Sequence, residues 1–195
     1  FLIPAKNEEL NIKKVLIKFK KFGKTVVIND HSIDNTLNIS KKLSDKVLDM
    51  KLYKGYDSAL KYGLIYIINK ISADYVITID ADGEHSPKFV SKLLNKAKKA
   101  KLVIGNRDKY NRWSEYFCSY LSTAFYSIKD PLSGMKCYNL NYLKDNKTKI
   151  IKKLDINLDQ CGMFFFKIYE FKDISNVKIK TNKKNKPSSF GSGLF

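Results

Sequence analysis

The stretch Tyr75-Val-Ile-Thr-Ile-Asp-Ala-Asp-Gly-Glu-His-Ser-Pro87 changes character halfway along, and that change limits the folds open to the chain. Tyr75 to Ile79 is β-branched and aromatic with no charged residue, the pattern of a strand buried on both faces. Asp80, Asp82 and Glu84 follow at once. Gly83 allows a tight turn, and Ser86-Pro87 is an N-cap and first-turn pair. The helix it opens carries Phe89, Val90, Leu93, Leu94 and Ala97 at three-to-four spacing. If the chain stays extended past Ile79, period two sends the Asp80 and Asp82 carboxylates out on one side. The unit is strand, acidic loop, helix.

Similar units precede and follow it. Phe1 to Ile3 reads as the inside of a strand that Pro4 ends, so the natural chain is expected to carry residues before Phe1. Asn7 is expected to cap the next helix, with Glu8 and Glu9 in its first turn, Ile12, Val15, Leu16, Phe19 and Phe22 as its buried stripe, and Gly23 as its stop. Thr25 to Ile28 is a second strand, closed by the polar loop Asn29 to Thr36, and a helix with Leu37, Ile39 and Leu43 follows. Lys46 to Met50 is a weaker third strand. After Gly55 a helix bearing Ala59, Leu60, Leu64, Ile67, Ile68 and Ile71 leads to the strand at Tyr75, and Lys101 to Ile104 makes a fifth. Beyond Arg107 the alternation breaks down. There 114–127 reads as an amphipathic helix, 130–134 as a loop and 135–138 as a strand, while the aromatic 161–171 fits neither period.

Strands alternating with amphipathic helices imply an α/β fold, a mostly parallel central sheet with helices on both faces. No linker divides the chain, so 1–195 reads as a single domain. Ligands in such sheets bind outside the carboxyl ends of the strands. Those ends are Pro4 to Glu8, Asn29 to Asp34, Asp80 to His85 and Gly105 to Arg107, so four polar loops are expected to line one crevice.

Charge sharpens the question of why acids gather there. Lys and Arg number 37 against 19 Asp and Glu, a formal net charge of +18, so crowded carboxylates need a reason. A hard divalent cation, Mg²⁺ or Mn²⁺, supplies one, since it takes one or two carboxylates from protein and completes its shell with water and substrate phosphate. The lysines favour an anionic membrane surface or nucleic acid. Nucleic acid is not expected, because no zinc-finger spacing, RNP-like aromatic motif or heptad repeat gives it a mechanism. No apolar run approaches the ~20 residues of a membrane span. Cys118, Cys137 and Cys161 are odd in number and widely spaced, which reads as reduced thiols in a cytoplasmic protein.

In a chain that uses Lys almost everywhere, the two arginines stand out. Arg107 and Arg112 lie six residues apart by inclusive count, and an Arg fork is suited to bidentate phosphate recognition. Asp130-Pro-Leu-Ser-Gly134 is a turn headed by an acid. The tail from Lys180 to Phe195, rich in polar residues and Gly, is expected to form a mobile flap.

Pro4-Ala-Lys-Asn-Glu8, Val27-Ile-Asn-Asp-His-Ser-Ile-Asp-Asn-Thr36, Asp80-Ala-Asp-Gly-Glu-His85, Gly105-Asn-Arg107 and Asp130-Pro-Leu-Ser-Gly-Met-Lys136 together resemble, in order and spacing, the family 2 inverting glycosyltransferases. The likeness is greatest to the dolichol- or polyprenol-phosphate mannose synthase branch. It covers 1–138 well, and Ser188 to Gly193 is a weaker echo of that branch's closing loop. The resemblance implies the nucleotide-diphospho-sugar transferase (GT-A) fold, with 1–107 as the nucleotide-sugar half and 108–195 as the acceptor-side half with the flap. It implies Pro4, Ala5, Glu8 and Asp30 around the base and ribose, Asp80 and Ala81 near the nucleoside, Asp82 as both nucleotide-sugar and metal contact, Glu84 on the metal, and Arg107 near the phosphates. The branch usually has Tyr at Lys6, Asp at Asn29, Gly at His31 and Gln at Glu84, and the first two departures bear on the donor base.

The expected activity is therefore metal-dependent, inverting transfer of a sugar from a UDP- or GDP-sugar to a polyprenyl phosphate or a glycan. A lipid-phosphate acceptor is already a nucleophile, which Arg107 and Arg112 would position; a sugar hydroxyl needs a base, for which Asp130 or Asp159 is the candidate. The working place is the cytoplasm, with peripheral attachment to the inner membrane face. A nucleotidyltransferase of related fold is the rival, but its Gly-rich basic loop is missing after the first strand. A basic, non-enzymatic binding module leaves the converging acids unexplained.

Overall fold

The computed structural model describes residues 1–52, 54–110, 113–126, 128–148 and 173–182. Seven strands form one sheet: β1 Leu2–Ala5, β2 Val26–Asp30, β3 Lys46–Met50, β4 Tyr75–Thr78, β5 Leu102–Arg107, β6 Lys136–Asn139 and β7 Ile174–Ile179. Their order is β3-β2-β1-β4-β6-β5-β7. Every pairing is parallel except those of β6, which runs antiparallel to β4 and β5 on either side. The carboxyl ends of β1, β2, β4 and β5 therefore share one side of the sheet. Strands β6 and β7, from beyond residue 107, complete the same sheet as the first half.

Helices α1 Ile12–Phe19, α2 Thr36–Leu43 and α4 Val90–Ala97 cover one face, while α3 Tyr56–Lys70 and α6 Leu140–Asp145 cover the other. Alternation along the strands splits the core accordingly. Ile3, Val27, Ile77 and Val103 pack against α1 and α4, and Leu2, Val26, Ile28, Leu102 and Ile104 face α3. Helix α5 Trp113–Tyr126 lies in the connection from β5 to β6.

Several local expectations are corrected. Pro4 lies inside β1 and does not end it. Its missing N–H costs no ladder bond, because β1 pairs with β4 only at Leu2, and Pro4 presents the same edge two residues further on. Asn7 is not a helix cap. It adopts a left-handed φ of 53°, and α1 begins five residues later, after a turn in which the Glu8 carbonyl accepts from the N–H groups of Asn11 and Ile12. Glu8 and Glu9 accordingly precede the helix. After Phe19 the helix tightens into a 3-10 turn, Lys20–Phe22, which rotates Phe22 off the buried stripe and leaves it exposed. In α2 the fully buried positions are Thr36 and Ser40, with Ile39 and Leu43 only partly covered. The 161–171 segment lies outside the described residues.

Candidate active site

The first two strand-end loops are zipped together. Asn7 N–H donates to Ser32 Oγ, Glu8 N–H to Thr36 Oγ1 at 2.7 Å, and Glu9 N–H to Asp34 Oδ2; in return Ile33 N–H donates to Asn7 Oδ1 and Asn35 N–H to Glu9 Oε2. The strained backbone of this zipper is Asn7 and His31, both at left-handed φ. His31, at φ 54°, stands where the resemblance has Gly, and the conformation there is the one glycine adopts without strain. Pro4, Ala5 and Glu8 are buried at this end of the sheet.

Asp30 is wholly buried, and each of its oxygens accepts one backbone N–H, from Lys54 and from Gly55, both at 3.0 Å. Asn29 points to the opposite face of β2 by strand alternation, and its Nδ2 donates to Asp49 Oδ1 at 2.8 Å. An aspartate at 29 would set two carboxylates against each other. Asn29 thus answers a neighbour in β3.

The loop that holds Asp30 leads straight into Tyr56, whose hydroxyl donates to Asp80 Oδ1 at 2.7 Å. Burial, with the Asp80 charge second, pushes the Tyr56 pKa well above the usual phenol value and keeps the donor proton in place. The Asp80 N–H donates to His85 Nδ1 at 3.0 Å, and His85 Nε2 lies 3.8 Å from Asp80 Oδ2. On its other side Asp80 is pressed against Gly134, where a Cβ would come within 2.2 Å of Oδ2. Strand β4 ends at Thr78, so the chain does not stay extended and strand alternation does not set the two acids. Asp80 turns inward. Asp82 instead sits in the turn made by Gly83, at φ 81°, with its Oδ1 accepting the Glu84 N–H at 3.0 Å. Ala81 and Glu84 are buried beside it. The turn is strapped from outside by Asn182, whose N–H donates to the Glu84 carbonyl and whose Nδ2 donates to the Gly83 carbonyl.

Arg107 and Asp130 meet as a fork on a carboxylate. Arg107 N–H and Nε donate to Asp130 Oδ2 at 3.0 and 2.9 Å, and Nη2 donates to Oδ1 at 3.0 Å. Nη1 lies 3.3 Å from Glu115 Oε2 on α5. Burial works against the guanidinium charge, but the hydrogen bonds and charge of Asp130, then Glu115 and Asp80, outweigh it and raise the Arg107 pKa. Both oxygens of Asp130 thus bind Arg107. Arg112 and Asp159, the other candidates for acceptor chemistry, lie outside the described residues, as do Cys161 and the echo at Ser188 to Gly193.

Sequence reasoning passed over Tyr56, Glu115 and Lys136. Lys136 is buried at the start of β6, with Nζ donating to the Pro131 carbonyl at 2.8 Å. Burial lowers its pKa to about 7, with the charges of Asp130, Asp80 and Asp57 resisting. The available signal was a lysine set among Met135, Cys137 and Tyr138 in an otherwise apolar strand. Of the cysteines, Cys137 is buried and inert, its thiol pushed up to about 12 by desolvation, and Cys118 is a free thiol on α5.

Among the described residues no three His, Cys, Asp or Glu side chains form a ready-made metal cage. The hard carboxylates of Asp82 and Glu84, in one turn, are a donor set that fits Mg²⁺ or Mn²⁺ drawing the rest of its shell from water and phosphate.

The family profile described as Glycosyl transferase family 2 matches residues 1–171. The chain belongs to glycosyl transferase family 2. Its relatives include the UDP-N-acetylglucosamine–dolichyl-phosphate N-acetylglucosaminyltransferase of Methanococcus voltae, 27% identical over 73% of this chain and 70% of that protein. The dolichol-phosphate mannosyltransferase of Pyrococcus furiosus is 26% identical over 68% of this chain and 44% of its own length. Among solved structures, glucosyl-3-phosphoglycerate synthase from Mycobacterium tuberculosis in complex with Mn²⁺ and UDP-glucose superposes with a TM-score of 0.68 at 21% identity, covering 95% of this chain and 71% of that one. That match shows the GT-A fold expected from the motifs. As a family 2 glycosyltransferase the protein is a transferase, and the expected binding-module rival falls away.

Proposed function

We propose that this family 2 glycosyltransferase moves a sugar, with inversion and with a divalent metal, from a nucleotide diphosphate donor to a polyprenyl phosphate. The observation that carries the choice of acceptor is the state of Asp130. A hydroxyl acceptor needs a general base within reach of its proton, whereas Asp130 is fully buried and both its oxygens accept from Arg107. A phosphate monoester is anionic at neutral pH and attacks without a base. The names of the two relatives above, both acting on dolichyl or dolichol phosphate, support the same choice.

In this reading the zipped loops with Pro4, Ala5, Glu8 and Asp30 receive the nucleoside, and Asp80 and Ala81 form its floor. Asp30, wholly buried, acts there by fixing the Lys54–Gly55 backbone through its two oxygens. Asp82 and Glu84 would hold the metal, which when bound would supply Lewis-acid stabilisation of the departing diphosphate. An acceptor oxygen bonds to the anomeric carbon from the face opposite the diphosphate, and the electron pair of the broken C–O bond leaves with the nucleotide. Arg107, with its fork fixed by Asp130, organises the acceptor side and holds α5 in place through Glu115. Peripheral membrane attachment follows from such an acceptor; among the described residues no helix is long and apolar enough to cross a membrane.

The test is a matrix of UDP- and GDP-sugars against a short polyprenyl phosphate and a soluble glycan, each with Mn²⁺, Mg²⁺ or EDTA. The reading expects metal-dependent formation of a sugar-phosphate-lipid. Faster transfer to the glycan hydroxyl than to the lipid phosphate would overturn it.

A further inference from the structure

Helix α5 is amphipathic the wrong way round for a helix of a water-exposed domain. Its outer stripe is Trp113, Tyr116, Phe117, Tyr120 and Leu121, at spacings of three, four, seven and eight, with Trp113 84% and Tyr120 73% exposed and Tyr116 and Phe117 54% each. Its inner stripe, half a turn away, is Glu115, Ser119 and Ser122. Glu115 pairs with Arg107, the Ser119 hydroxyl donates to the Lys129 carbonyl, and the buried Ser122 hydroxyl donates to the Ile128 carbonyl at 2.6 Å. Small polar residues thus seat the helix while Trp113, Tyr116, Phe117 and Tyr120 face away from the protein.

The rings on the outer stripe are ordered among themselves. Trp113 and Phe117 stack nearly parallel, 8° apart with centroids at 6.5 Å, and Tyr116 takes the edge of Tyr110 at 4.9 Å. Tyr110 is in turn fixed by its hydroxyl to the Lys129 carbonyl at 2.8 Å. Exposed Lys109 and Lys129 flank this seat. Stacked rings with Trp and Tyr tips, bordered by lysines, match the belt where headgroups meet acyl chains, since each ring has an apolar body and a polar edge. Charge argues against a second copy as the occupant: each chain carries +18 and repels its like, whereas an anionic bilayer attracts it.

We propose that the aromatic stripe of α5 is the surface by which the protein seats itself on an anionic lipid bilayer. The inference rests on the polyprenyl-phosphate reading only for its purpose: the Arg107–Glu115 pair on the inner stripe ties the helix to the acceptor side, so docking by the outer stripe would bring the crevice to the membrane surface.

Trp113 is the single tryptophan of the chain, so its fluorescence reports on this surface and on nothing else. The full chain is titrated with vesicles of phosphatidylcholine and phosphatidylglycerol, with and without brominated acyl chains. The expected result is a blue shift of emission and quenching by the brominated lipid. Phe117→Ser combined with Tyr120→Ser should reduce vesicle partitioning about tenfold or more, with melting temperature unchanged. Transfer to a short, water-soluble acceptor should persist in that variant while transfer to a vesicle-borne acceptor falls. Vesicle binding that leaves Trp113 emission unmoved would assign docking to the lysines of α1, α2 and α4 and overturn the proposal. A shift that depends on protein concentration without lipid would assign the stripe to a second copy and overturn it too. The fluorescence needs no turnover, so absence of transfer to any acceptor counts against the functional reading alone.

Discussion

Replacing Asp130 with asparagine separates two roles for one carboxylate. If the oxygen of the new amide takes the place of Oδ2, it keeps the bonds from Arg107 N–H and Nε, but its NH₂ then meets Nη2, donor against donor. One charge-assisted bond is lost, worth about 1.5–3 kcal/mol, and a buried guanidinium loses its nearest counter-charge. Removing one partner of a buried ion pair costs about 3–5 kcal/mol. Glu115 remains 3.3 Å from Nη1 and the Arg107 side chain keeps 10% exposure, which puts the expected loss at the lower end, about 3 kcal/mol. For a chain of this length that lowers the melting temperature by about 6–12 °C. Calorimetric melting of the variant, of Arg107→Met and of the double variant makes the assay a cycle. The double variant should melt above the Asp130→Asn single, because it no longer buries an unpaired cation. The opposite pattern is informative. If Asp130→Asn melts within about 2 °C of the parent while turnover falls by orders of magnitude, the carboxylate is a working base, the clamp argument fails, and a hydroxyl acceptor returns.

Lys136→Met should change the pH dependence of stability. Burial lowers the lysine from 10.5 to about 7, so between those values the unfolded chain binds a proton that the native one does not, and this group's contribution becomes more favourable as pH rises through that window. The melting difference between variant and parent should therefore favour the methionine most at pH 6 and shrink by pH 10, and a constant difference would refute the assignment. Gly134→Ala places a methyl within 2.2–2.5 Å of the Asp80 carboxylate, which Tyr56 holds in place, so a destabilisation of about 1–3 kcal/mol is expected by denaturant melting. Asp82→Ala, in a partly exposed turn, should leave stability within about 1 kcal/mol and remove Mn²⁺-dependent binding of UDP or GDP in titration calorimetry. Nucleotide binding that is indifferent to EDTA would sink the metal role.

The strands most legible in the sequence were those buried on both faces, while the half-exposed β3 read as a weaker one. Ile77 and Val27 need no neighbour's help to read as strand, because a short β-branched run closed by Asn, Asp or Gly has few other solutions. Strand β7, Ile174–Ile179, escaped notice for the converse reason. Among the described residues it pairs only with β5, its side chains Ser175 and Asn176 are half-buried, and its alternation is diluted. Helix α6 has six residues, too few for a period of 3.6 to show. The capping error at Asn7 arose because Asn-Glu-Glu suits a helix start as well as it suits a left-handed turn, and only the bonds to the 32–36 loop decide between them.

The acids at the strand ends were legible as a group but not as individuals, and the reason lies in what each one must balance. Asp30 receives two backbone N–H groups that a loop would otherwise leave unpaired, Asp80 receives the Tyr56 hydroxyl, and Asp130 receives an arginine. Each joins a strand end to an element distant in sequence, by 24 residues in the Tyr56–Asp80 bond and 23 in the Arg107–Asp130 pair. Such partners cannot be inferred from local spacing. Asp82 accepts the Glu84 N–H, two residues on, within its own turn. Carboxylates engaged across the sheet set the shape of the crevice. If Asp82 holds the metal as proposed, substitutions at the two positions should part company: Asp80→Ala, which removes the acceptor of the Tyr56 hydroxyl, lowers stability, and Asp82→Ala, in a partly exposed turn, lowers only binding.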